Sequence, residues 1–429
     1  MSYLGARNAV SLGVSYQATL GGPNLLNKLS PSLLLNFTNT STLDPRITFT
    51  RSTTATFTGS NGLIQTAAID APRFDYNPTT LASLGLLIEE QRVNLWTYSE
   101  QFDNAAWTKT NSSITANTVI APDGALTGDK ITSNISQLGF VVQSLSQTTG
   151  TAYTVSVYAK AGEYNFCQLR ITGTVVASIT RAYFNLANGT TTGVANCTAS
   201  ITPAGNGWYR CSITYTTVAT ATASPRIYGQ VNASDTVGDG TSGIFIWGAQ
   251  LEAGAFATSY IPTVASQVTR AADFASMTGT NFSSWYNASA GTLFADYAWV
   301  GLKLVAGQRT LIVDDGTTAN YWGMTATSGN NMQNPVVVSS ITEAVNSTPS
   351  TTYAAGAYYK QAVALATNNT VGAINGTAGT TDTVAAVPTG IIALRLSASS
   401  AGSTSNIRYR QIAYYPRRLA NAELQGITA

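Results

Sequence analysis

Residues Pro72–Trp107, PRFDYNPTTLASLGLLIEEQRVNLWTYSEQFDNAAW, hold a turn, a short apolar run from Gly85 to Ile88, the charges Glu89, Glu90 and Arg92, and then Trp96, Tyr98, Phe102 and Trp107. The stretch reads as a strand that leaves one module and enters the next. Only 10% of the residues are charged, so two adjacent glutamates and an arginine on an apolar run need partners or a covering surface. Two readings are open for Glu89, Glu90 and Arg92: an ion-pair cluster that locks a domain junction, and a catalytic carboxylate pair.

Downstream, the segments Tyr153 to Ala161, Phe166 to Thr172, Trp208 to Val218 and GIFIWGAQLEAG alternate apolar and polar residues, with turns every eight to twelve residues. That is the pattern of a two-sheet antiparallel sandwich. A second set of such strands runs from Gly291 to the C-terminus, with hairpin turns at Asp315-Gly316 and Asn375-Gly376. Upstream, ITFTRSTTATFTGSNGLI predicts a hairpin that turns at Asn61-Gly62, and Gly21-Gly22-Pro23-Asn24 predicts a break before a first strand at Leu33 to Phe37. The expected fold is all-β: an N-terminal region (1–93) with a small sheet, a first sandwich (94–263), a linker (264–290) and a second sandwich (291–429). Asn421 is expected to cap a closing helix that Gly426 stops.

Composition excludes several functions. The chain has no histidine, which removes Ser-His-Asp triads and histidine-ligated metals. Its net charge of +2 comes without a basic cluster, so no nucleic-acid partner is expected. No apolar run is long enough to span a membrane, and MSYLGARNAV lacks a signal-peptide pattern. Release by lysis is therefore expected rather than secretion. Cys167, Cys197 and Cys211 read as free thiols serving as small apolar residues. Asp123, Asp129, Asp235 and Asp239 fall in turns, where a structural calcium ion or simple turn capping would use them. No other cofactor is expected.

Together with LDPRITFTRSTTATFTGSNGLIQTAA (Leu43–Ala68), the segment PRFDYNPTT to GLLIEEQRVNL resembles head spike, head fibre and tail fibre proteins of tailed bacteriophages, nearly continuously from Leu43 to Leu95. The order of SEQFDNAAWTKTN, APDGALTGDKIT, YTVSVYAKAG, NGWYRCSITYT and IFIWGAQLEAGAFATSYIPT resembles jelly rolls of the carbohydrate-binding-module type. The C-terminal run ending IRYRQIAYYPRRLANAELQGIT resembles concanavalin A-like, laminin-G-type lectin sandwiches. These resemblances imply a virion protein on the exterior of head or tail, made in the bacterial cytoplasm. They imply attachment to other virion proteins through the N-terminal region, a homo-oligomer such as a trimer, and contact with host-surface glycans.

Trp208 and Trp247 are expected in the core. In the second sandwich Asn320, Tyr321 and Trp322 follow the Asp314-Asp315-Gly316 turn, and adjacent aromatics on a strand point to opposite faces. One is therefore expected inside and one at the surface, in a glycan site or an oligomer interface. The last module has Glu343 and Glu423 as its glutamates, neither in a glucanase pattern of alternating carboxylates. No enzyme is expected, leaving a glycan-contacting appendage and a ligand-free capsid decoration protein as the main readings, with a glycan-degrading spike the third.

Overall fold

A computed structural model describes residues 24–235, 237–301, 308–329, 331–346, 353–398 and 405–429. The predicted break at Gly21-Gly22-Pro23 lies outside them. The protein is all-β, with two antiparallel sandwiches as expected.

The strands Ala152–Ala161, Trp208–Thr216 and Gly243–Ala253 form the centre of a six-stranded sheet. Phe166–Thr172, Thr180–Asn185 and Ala221–Gln230 form the centre of a seven-stranded one. Alternate residues of each strand meet between the sheets: Val155, Val157 and Ile213 face Cys167, Leu169 and Ile227. Cys167 and Cys211 are buried free thiols in this core, and Cys197 is half-buried and free. Trp208 and Trp247 are buried, but on the opposite face of the six-stranded sheet, in a separate cluster with Tyr158 and Tyr260.

The second sandwich differs from the expected boundaries. Its eight-stranded sheet includes Leu33–Asn36, paired with Ile407–Tyr415 from Leu33 opposite Tyr414 to Asn36 opposite Gln411. Ser83–Ile88 pairs with that same C-terminal strand, and Arg73–Tyr76 extends the edge. Its seven-stranded partner sheet takes Thr48–Thr50 and Phe274–Thr278. The described residues 24–93 are thus not a region of their own, and 264–290 is not a free linker. The N-terminal strands complete the second sandwich, because Leu33, Leu35, Phe74, Leu86 and Ile88 bury their side chains in its core.

The first sandwich is consequently an insertion into the second, which we call the carrier. The chain leaves the carrier after Ile88 and returns at Phe274. Both crossings run side by side, as Arg92–Asn94 pairs antiparallel with Val268–Arg270. The predicted hairpin, Ala55–Thr58 with Ile64–Ala67, bridges the two bodies, since Ile64 N–H bonds Pro122 O at 3.0 Å and Thr56 Oγ1 bonds Tyr260 O at 2.5 Å. The closing helix runs Asn421–Thr428, through Gly426 rather than stopping there. Its cap is the Glu423 carboxylate, which accepts the Ala420 N–H at 2.7 Å. Leu424 and Ile427 on its inner face pack against Leu25 and Leu26, which offsets a single glycine in the last turn.

Candidate functional site

The two crossings meet in a buried charge network. Arg73 lies at its centre, donating to Glu89 Oε2 at 2.7 Å and to the Asp273 carboxylate. Arg51 reaches Asp273 at 3.1 Å, and Arg270 stands 3.5 Å from Glu89. Arg92 pairs with Glu90 at 2.6 Å and feels the field of buried Glu252. Four arginines therefore face four carboxylates, and every one of the eight is buried. Ser259 donates its N–H and hydroxyl to Glu89 at 2.9 and 2.6 Å, and the Glu89 N–H bonds Asp273 at 2.8 Å.

Burial would push Glu89 up, but Arg270, Arg73 and the Ser259 hydrogen bonds outweigh it and hold the carboxyl well below its ordinary range. Burial likewise opposes the charge on Arg73, and Asp273 and Glu89 reverse that effect and raise it. Glu89, Glu90 and Arg92 thus lie together, with Arg51, Arg73, Arg270 and Asp273 as partners that no local pattern announces. Both glutamates are engaged by arginine.

Above this network a cleft of about 570 Å³ opens along the seam between the sandwiches. The carrier contributes Asp75, Tyr76, Asn77 and Arg408, and the inserted sandwich contributes Tyr158 and Arg210. An adjoining depression reaches Glu89, Ser259 and Tyr260. Asp75 accepts Arg408 Nε at 2.7 Å and the Thr58 N–H at 2.9 Å. This bond fixes the Arg408 side chain while its terminal nitrogens bond no group of the described residues. Arg210 is held by Thr258 O at 2.6 Å and Ser156 Oγ at 3.0 Å, with its guanidinium 5.4 Å from the Tyr158 ring centre. The cleft combines fixed cations, a carboxylate, an amide and aromatic rings, groups that can bind sugar hydroxyls and faces.

The Asn320–Trp322 stretch divides as alternation requires. Trp322 is buried in the carrier core, its Nε1 donating to Tyr286 at 3.2 Å, whereas Tyr321 is half-buried. Arg309 lies 3.9 Å over the Tyr321 ring, and the Asn320 amide is consumed by Asp315 at 2.8 Å and the Ser339 N–H at 2.9 Å. Asp123, Asp129 and Asp239 each accept backbone N–H groups, and Asp235 accepts side-chain donors. Among the described residues no group of three His, Cys, Asp or Glu side chains is placed to hold a metal.

No family model and no curated protein sequence matches the chain. Among solved structures it is similar to the CBM40 of Ruminococcus gnavus IT-sialidase, at 16% identity and TM-score 0.28 over 33% of this chain and 84% of that one. The same module bound to alpha2,6 sialyllactose gives 16% and 0.29 over 33% and 85%. Trypanosoma rangeli sialidase gives 11% and 0.29 over 70% of this chain and 60% of that one. The last corrects the expectation that the chain is no enzyme, since an enzyme is among the structures it is similar to. At such a TM-score the likeness assigns no reaction to this chain.

Proposed function

We propose that this protein is an outer appendage of a bacteriophage particle, on head or tail, that contacts host-surface glycans as a homo-oligomer. The seam cleft is the observation that carries the reading. Its walls come from two bodies pinned together by the charge network, so its polar groups are held in place before any ligand arrives, which lowers the entropic cost of binding. Many copies on one particle would turn weak contacts into firm adsorption. Tyr321 remains a second contact in this proposal, while Trp322 serves the core.

The phage assignment is supported by the Leu43–Leu95 resemblance. Attachment through the N-terminus is best tested by removing residues 1–23, since removal of the first 90 residues would also take strands from both carrier sheets. The expected result is a folded protein that no longer joins virions, and normal incorporation would place attachment elsewhere. For the cleft, Arg408→Gln keeps a donor for Asp75 but loses the terminal guanidinium. On a glycan array the full chain is expected to bind and the folded variant to bind at least tenfold less. A full chain that binds no glycan defeats the reading.

A further inference from the structure

The inserted sandwich carries a second arginine cluster of opposite character. In its seven-stranded sheet Arg170 stands directly opposite Arg181 on one neighbouring strand and opposite Arg226 on the other. The intervening residues Leu169, Ile171 and Ile227 point into the core, so the three guanidinium groups project from the outer face as one row. Like charges directly opposite on a sheet are destabilising. A row of three invites a counter-anion.

Among the described residues the row has a single carboxylate, Asp235, from the turn segment that follows Ala221–Gln230. It accepts Tyr183 Oη at 2.6 Å, Gln168 Nε2 at 3.0 Å, Arg181 at 3.1 Å and Arg170 at 3.4 Å. Three guanidinium groups against one carboxylate leave two positive charges in excess. Arg226 has no carboxylate partner among the described residues. Its guanidinium lies 4.3 Å over the Phe140 ring and makes a long bond of 3.4 Å to Tyr228 Oη. Stacking on a ring leaves the edge of a guanidinium, with its forked N–H groups, open to a bidentate acceptor.

We propose that this row binds the carboxylate of an acidic sugar, held between Arg226 and Arg170 beside Asp235. Asp235 itself demonstrates that donors on this face converge on a carboxylate. The choice of a sugar as the carrier rests on the glycan-contacting reading above. The charge excess and the register stand without it.

The test uses the full chain with galacturonate oligomers, hyaluronan oligomers and polysialic acid, with neutral dextran as control and inorganic phosphate as competitor. Binding to at least one acidic glycan is expected, weakening as salt rises. Arg226→Gln should reduce it at least tenfold at unchanged melting temperature, and Asp235→Asn should strengthen it by removing a competing carboxylate. Binding of neutral but not acidic glycans overturns this proposal and leaves glycan contact standing, and binding of none overturns both. An undiminished Arg226→Gln variant, or displacement of the sugar by equimolar phosphate, also overturns it.

Discussion

The junction and the outer face of the inserted sandwich use the same residue type to opposite ends. At the junction four arginines meet four carboxylates, all buried. On the outer face Arg170 and Arg181 share Asp235, with side chains exposed by 24% and 28%, and Arg226 has no carboxylate partner among the described residues. A buried charge persists only when compensated, so the junction is closed to ligands by its own stoichiometry. An excess of charge survives only where water reaches it. The number of counter-charges, rather than the number of arginines, separates a fastening from a binding surface.

The largest effect should come from breaking the compensation. Glu89→Gln or Asp273→Asn leaves Arg73 short of one partner in a dry site, and each should cost about 3–5 kcal/mol. Arg226→Gln, on the outer face, should stay within about 0.5 kcal/mol. Urea denaturation of the three variants makes the comparison. Equal midpoints for Glu89→Gln and the wild type would remove the network's fastening role.

Much of the fold was legible, and the reason is local. Residues 153–157 (YTVSV) and 211–215 (CSITY) alternate apolar and polar side chains, and the Asn375-Gly376 turn has both residues at positive φ, 43° and 80°, as Asn-Gly permits. The return of Leu33–Asn36 to a strand beginning at Ile407 is a pairing across most of the chain, and such pairing leaves no mark in a local window. The same holds for charge. Glu89, Glu90 and Arg92 stood out on an apolar run, but Arg51, Arg73, Arg270 and Asp273 lie in ordinary polar segments. The arginine row was invisible for a related reason, because Arg170, Arg181 and Arg226 become neighbours only through register. Trp247 misled on its side of the sheet, since hydrophobicity marks burial but not which of two covered faces provides it.

A second contrast concerns carboxylates. Glu89 has its folded pKa depressed, so the stability it contributes is present above the ordinary carboxylate range and is lost as pH falls through that range and below. Asp129 is buried with backbone N–H donors, from Phe102 and Asn117 at 2.9 Å, and burial raises it to about 6. Its sign is reversed: the folded state holds the proton more tightly, so stability rises as pH falls from about 6 to the unfolded value of 3.8. Measured against the non-titrating Asp129→Asn variant, the wild type should gain about 2 kcal/mol between pH 7 and pH 4. A flat difference across that window would mean that Asp129 is solvated.

The smallest effect sharpens the first comparison most. Asp235→Asn removes the one counter-charge that the described residues offer the arginine row and leaves three like charges across adjacent strands, at a cost of about 0.2–1 kcal/mol in low salt. The row is partly exposed, so mobile anions can take the place of Asp235. In 1 M salt, where the screening length is about 3 Å, the variant and the wild type should melt together. The Glu89→Gln deficit should persist at the same salt concentration, because counter-ions cannot enter a site whose members are buried. Thermal melts of both variants at low and high salt separate the two clusters by accessibility alone. If the Asp235→Asn deficit survives 1 M salt, the outer row is as closed as the junction and cannot receive a ligand carboxylate.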